Sequence, residues 1–312
     1  LLKTLFNRII SVSHALSFDV ILGVLSSQLI VAQAFQLPFH LYHTIALACA
    51  VGLIYSVDHL LDLKKIKNEP VNPRRKFHYQ NKGLLKTLGL LFLGGGLFSM
   101  ISIEVEVLWT GLALFAFVAI YLIAVNQRKT TKQKELFVAV LYAMGIFLVP
   151  FALNIGYYWQ QFDRVISWAF VYSIGLFVQY LLLALMNLYV FSFLEMEYDL
   201  KDAQNSLFVA HNFDSEEMKT VRESRFFQNL KMIKLVFLVT LISLVGQAVL
   251  LYLMGGDASA LIHNRWLVFE SCALIFLVHF VLFHLPIAKK LSMEHRRALG
   301  DISFILPLFL FI

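Results

Sequence analysis

The 312 residues predict an all-α, polytopic membrane bundle of about nine transmembrane helices, forming a single domain over residues 1–312. Three observations carry that expectation. Hydrophobic residues make up 59% of the chain and charged residues only 15%, against roughly 45–50% and 25% in an ordinary soluble domain. Apolar stretches recur near the roughly 20 residues that a helix needs to cross the hydrocarbon core. The period-two alternation of a membrane barrel is absent. A soluble globule of this composition would leave too much apolar surface in water. Soluble enzymes, nucleic-acid-binding modules and disordered scaffolds are therefore excluded.

The spans follow in order. The first is read at 15–36. It holds Asp19, whose burial in a span costs about 2.5–3.5 kcal/mol and is expected to be offset by facing a cavity or a partner. The second, 38–57, ends on an acidic pair. The third, 85–103, contains Gly94-Gly95-Gly96, which lets a neighbouring helix approach closely. Spans at 107–126, 136–155 and 166–194 follow. Residues 213–231 then read as an amphipathic interfacial helix or lid before the seventh span, 233–254. The eighth, 266–286, carries Glu270, expected like Asp19 to face inward, and His279 and His284, read as packing or interfacial residues. A ninth begins near 302. Cys49 and Cys272 both lie in apolar stretches and support neither a disulfide framework nor zinc spacing. A chain that starts without Met and stops in an apolar run is expected to be trimmed at both ends, and no cleavable signal peptide is read in it.

The net charge of +6 fits loop basicity rather than a nucleic-acid partner. Lys3 and Arg8, eight basic residues between Lys64 and Lys86, four between Arg128 and Lys134, six between Lys201 and Lys234, and four between Lys289 and Arg297 fall on one side. That places 24 of the 26 together, with only Arg164 and Arg265 opposite. The positive-inside rule makes that side cytoplasmic. The long loops, 63–84 and 195–232, lie there too, and connections of that length usually carry function or disorder.

Each of those loops opens on acids. Asp58 and Asp62 are spaced i, i+4, so one helix face presents both carboxylates. By spacing alone they suit either a hard cation such as Mg²⁺ or simple pairing with Lys64, Lys65 or Lys67. Glu195 and Asp199 repeat the spacing on the same side, with Glu197 and Asp202 as further acids. Two such pairs facing each other across a cavity would hold metal ions, and the flanking cations would grip a diphosphate. His78 and His211 are loop residues near this region, with no role separable from the spacing.

These motifs resemble the UbiA superfamily of intramembrane prenyltransferases, which have nine transmembrane helices and two aspartate-rich motifs after the second and sixth. Asp58 and Asp62 fall on the last two acids of the first motif. Glu195, Asp199, Ala203 and Ser206-Leu207 fall on the spacing of the second. Tyr121 to Thr131, with Arg128-Lys129-Thr130, resembles a basic motif after the fourth helix, and Gly145 and Pro150 resemble the Gly…Pro of the fifth. The chain departs from the pattern at Ile54 and Tyr55, where the family has Asn-Asp, at Glu195 for Asp, and at Ala203 for Gly. It resembles a divergent member.

The resemblance implies Mg²⁺ held by Asp58, Asp62, Glu195 and Asp199 as catalytic ligands. Lys64, Arg74, Arg75, Arg128, Lys129 and Lys201 would contact the diphosphate. The implied partners are a prenyl diphosphate, a membrane-accessible acceptor and the lipid bilayer. The expected location is a multi-pass integral membrane protein with its active-site loops cytoplasmic, in the inner membrane if bacterial. Two alternatives stay open: a membrane subunit or binding protein that kept the fold without the activity, and an intramembrane terpene cyclase. A secondary transporter would place its charges near the midplane, whereas these acids cluster at one face.

Overall fold

The computed structural model describes residues 11–65, 68–127, 134–161, 168–202, 217–254, 260–285, 291 and 293–310. Among them no strand occurs. The helices are α1 (Phe18–Ala34), α2 (Leu41–Lys65), α3 (Pro73–Gln80), α4 (Lys82–Ser99), α5 (Val105–Gln127), α6 (Lys134–Gln161), α7 (Trp168–Lys201), α8 (Glu217–Met254), α9 (Ala260–His284) and α10 (Met293–Ser303). Seven of them, α2 and α4 to α9, are long and apolar enough to cross a membrane, and α1 is a shorter apolar helix. This is a multi-pass integral membrane protein.

Local chemistry sets the helix ends. The Asn72 side chain accepts from the Arg74 and Arg75 backbone N–H groups at 3.0 and 3.4 Å. Pro73 follows at the first helical position, so α3 starts with a paired cap and a preset φ. Beyond Ser303 the backbone bonds tighten to three-residue steps, from Phe304 to Asp301 and from Ile305 to Ile302. Pro307 then has no N–H to return to Ser303. The expected ninth span is therefore not formed as a long helix among the described residues: 302–310 hold the end of α10, a turn and a 3₁₀ turn, Leu306–Leu310. The separate interfacial helix expected over 213–231 also differs. From Glu217 onward it is the first part of α8, because neither Gly nor Pro interrupts the chain before Gly246.

α7 is the central helix. Of its most apolar stretch 56% is buried, against 11% in α4 and α5, which lie at the rim. Tyr180, Leu183 and Met186 of α7 pack with Ile146 and Phe147 of α6, Val31 of α1 and Ile275 of α9 in the main core. Phe147 meets Phe151, Phe177 and Tyr180 at ring-centroid distances of 5.5–5.9 Å, the spacing at which aromatic edges and faces attract.

Small residues let α2 and α4 approach. A Cβ on Gly95 would come within 2.8 Å of Cys49 Sγ, and one on Gly52 within 2.5 Å of the Phe92 ring. Gly94 faces open space. Gly52→Leu is thus expected to force the two helices apart at about 1–3 kcal/mol, while Gly94→Ala leaves the thermal unfolding midpoint in detergent unchanged. Equal midpoints for both variants would contradict this packing.

Candidate functional site

A cavity of about 1010 Å³ runs between α2, α4, α5, α6 and α7, closed on one side by α1, α3 and α10. Its polar end is built from residues distant in sequence. α2 supplies Asp58 and Asp62, α3 supplies Arg74 and Arg75, and α7 supplies Glu195 and Asp199. All six were singled out by spacing or by resemblance. Most of the remaining wall is apolar, with Leu47, Val51, Leu112, Phe115, Val118 and Leu148 among its lining, and Gln28, His43, Tyr142 and Asn187 add polar groups to it. Lys64 and Lys201 are exposed and do not line the cavity. Arg128, Lys129 and His211 lie outside the described residues.

The acids carry cations. Arg75 donates through Nη2 to Asp199 Oδ1 at 2.6 Å and through Nη1 to Asp202 Oδ2 at 3.1 Å. Asp202 also accepts from the backbone N–H groups of Val71 and Asn72 at 2.6 and 3.2 Å. The end of α7 thus anchors the start of α3. Burial works against the Arg75 charge, and the Asp199 and Asp202 carboxylates outweigh it and push its pKa up. Lys134 Nζ lies 3.7 Å from Asp58 Oδ1, and Arg297 is ion-paired with Glu195.

Lys134, Arg297 and Asp301 were not singled out as site residues. Arg297 and Asp301 lie on α10, a helix too polar to read as a span, and its polar face turns inward. Their i, i+4 spacing, the same as that of the acidic pairs, was the signal that could have found them. Burial, and then the adjacent Arg74 guanidinium, push Arg297 down to about 9, which leaves it charged at neutral pH.

A buried polar layer sits behind this wall. His14 Nδ1 is 2.6 Å from Asp19 Oδ2 and 3.7 Å from Asp301 Oδ2. Asn187 Nδ2 donates to Asp301 Oδ1 at 3.3 Å, and His279 Nε2 donates to Asn187 Oδ1 at 2.8 Å. Asp19 therefore faces a partner, as its cost in a span demanded, and His279 is a packing residue. Glu270, expected to face inward, is instead on the exposed face of α9. His284 stacks on Phe280 with ring centroids 4.4 Å apart.

His78 is buried at the cavity wall, stacked on His59 with ring centroids 4.1 Å apart, and it donates from Nε2 to the Ala15 carbonyl at 2.5 Å. Burial pushes its pKa down to about 4. Between its ordinary value near 6.5 and that value the unfolded chain takes up a proton that the folded chain refuses. Stability contributed by neutral His78 is present above pH 6.5 and lost as pH falls, by about 3 kcal/mol in the limit. As pH falls from 6.5 to 4 the unfolding midpoint of His78→Gln in detergent is expected to drop less than that of the wild type, whose net change also carries the opposing contribution of Asp301, pushed up to about 7 by burial. A drop unchanged in the variant would assign it elsewhere.

No family model, curated protein or solved structure matches the chain.

Proposed function

We propose that the chain is a Mg²⁺-dependent intramembrane prenyltransferase, which ionises a prenyl diphosphate and transfers the isoprenoid chain to a membrane-accessible acceptor. One observation carries this reading. Two carboxylate pairs and two arginines from separate helices line the polar end of a cavity whose remaining wall is mostly apolar. A prenyl diphosphate has that same division between a dianionic or trianionic head and a hydrocarbon tail.

The donor set fits a hard divalent cation by type, since Asp58, Asp62, Glu195 and Asp199 offer carboxylate oxygens, the ligands Mg²⁺ prefers. Mg²⁺ held by them would neutralise the negative charge that develops on the departing diphosphate. The chain's own residues supply the rest. Arg75, Arg297 and Lys134, now paired with Asp199, Glu195 and Asp58, exchange those carboxylates for diphosphate oxygens. Arg74 and Arg297 each keep a buried Nε without an acceptor among the described residues, so both have donors to spend on an anion. The apolar wall excludes water from the allylic cation left behind, and aromatic faces such as Phe115 stabilise it. By the positive-inside pattern the polar mouth is cytoplasmic.

A second reading has its own support. Ile54 and Tyr55 line the cavity where the resembled family has Asn-Asp, and neither offers a carboxylate. Together with the cations on Asp58, Glu195 and Asp199, this favours a binding protein or complex subunit that takes the same ligand without ionising it.

Both readings require the ligand to bind. Farnesyl and geranylgeranyl thiodiphosphates, which ionise slowly, are expected to raise the unfolding midpoint by several degrees with Mg²⁺ and by less in EDTA. No shift with either chain length would overturn the proposal.

A further inference from the structure

We infer that His14, Asp19 and Asp301 form a second metal site, one for a borderline divalent ion of the Zn²⁺ class, separate from the carboxylates at the cavity mouth. The inference does not rest on the prenyltransferase reading. The three side chains come from the helical residues 11–15 that precede α1, from α1 and from α10. One ligand atom from each of the three lies within 4.8 Å of the other two. Two of the separations are 2.6 and 3.7 Å, which bracket the roughly 3.3 Å between ligand atoms of a tetrahedral Zn²⁺ with bonds of about 2.0–2.1 Å. One imidazole and two carboxylates suit Zn²⁺, and the imidazole argues against Mg²⁺, which prefers oxygen alone.

An independent observation points to a missing ligand. Asp301 is 6% exposed, and its Oδ2 has no hydrogen-bond partner. A cluster that merely tied α10 to α1 would leave that oxygen unexplained, because buried polar atoms are nearly always paired. Burial and the negative charge of Asp19 push the pKa of Asp301 up; a divalent ion between the two carboxylates removes that repulsion. Burial also lowers the pKa of His14, leaving the neutral imidazole that a metal requires. The metal takes the place of the proton that neutral His14 shares from Nδ1 with Asp19 Oδ2; that proton moves to Nε2, so the imidazole stays neutral and Asp19 stays ionised.

Two arginines stand close, Arg74 and Arg297. Arg297 is paired with Glu195. Asp19 and an ionised Asp301 balance the two guanidiniums, and Glu195, paired with Arg297, offsets part of that positive charge toward an incoming cation. Behind the ligands, Asn187 holds the other oxygen of Asp301, and His279 holds Asn187, the orienting layer usual around bound metals.

The test uses the full chain purified in detergent, stripped with EDTA and titrated separately with Zn²⁺ and with Co²⁺ as a coloured substitute. The expected result is one Zn²⁺ per chain, with Co²⁺ giving visible bands characteristic of nitrogen and oxygen ligands. His14→Gln and Asp301→Asn should each weaken Zn²⁺ at least about 100-fold, with folding checked by the unfolding midpoint. The Asp62→Asn, Asp199→Asn variant should keep the Zn²⁺ and the Co²⁺ bands. Absence of saturable binding by the wild-type chain would overturn the inference. So would binding that is equal in a folded His14→Gln variant, or binding lost in the Asp62→Asn, Asp199→Asn variant instead.

Discussion

The Asp62→Asn, Asp199→Asn double variant is expected to lose Mg²⁺-dependent diphosphate release by roughly a thousandfold or more. Removing one preorganised group that stabilises transition-state charge commonly costs 10²–10³ in rate, about 3–4 kcal/mol, and this variant removes one carboxylate from each face of the cavity. Asparagine keeps the shape of each side chain but loses its charge and half its capacity to accept. The fold should survive, because Asp202 still holds Arg75 and the backbone N–H groups of Val71 and Asn72. Release within tenfold of the wild type, by a variant with an unchanged unfolding midpoint, would remove these acids from the chemistry.

Arg297→Ala is expected to give the largest loss of stability among single site substitutions, about 3 kcal/mol. Breaking a buried ion pair from one side costs about 3–5 kcal/mol, because the charge left behind has neither water nor a partner. Glu195 is 8% exposed and Arg297 is its ion partner. The low end of the range applies because both side chains reach the cavity, where some solvent softens the loss. The Arg297 guanidinium also lies 5.3 Å from the centre of the Phe191 ring, a contact that alanine removes. Adding Glu195→Gln to Arg297→Ala removes the stranded charge and should recover at least half of the loss. A double variant no more stable than Arg297→Ala would mean that the pair is not the source of the effect.

The sequence made the long spans legible because the apolar runs that enter lipid are written without interruption. Their ends were less legible. The second span was read to 57, whereas α2 continues to Lys65. Apolarity stops before the helix does, and it is the extra turns that present Asp58 and Asp62 on one face. In the same way α8 begins at Glu217 because its polar first part has no breaker.

The acidic pairs of the candidate site could be found from i, i+4 spacing, which one helix fixes alone. Their partners could not. Arg75 is separated by 124 residues from Asp199 and by 127 from Asp202, and no local period encodes such a pairing. Arg297 and Asp301 stayed hidden for a different reason. A short polar helix ordinarily turns its charges to water, and only the packing of α10 against α1, α7 and α9 turns these inward.

The most direct measurement of the central claim is Mg²⁺-dependent diphosphate release by the purified chain. It would use prenyl diphosphates of several lengths, with a lipid extract of the native membrane present as the source of acceptor. The account predicts release by the wild-type chain, abolished by EDTA and by the Asp62→Asn, Asp199→Asn variant, with the labelled isoprenoid recovered on a lipid-soluble acceptor. Recovery as a cyclised hydrocarbon would replace transfer with cyclisation at the same site. Binding of the thiodiphosphates without release of diphosphate at any chain length would contradict catalysis and leave the binding-protein reading.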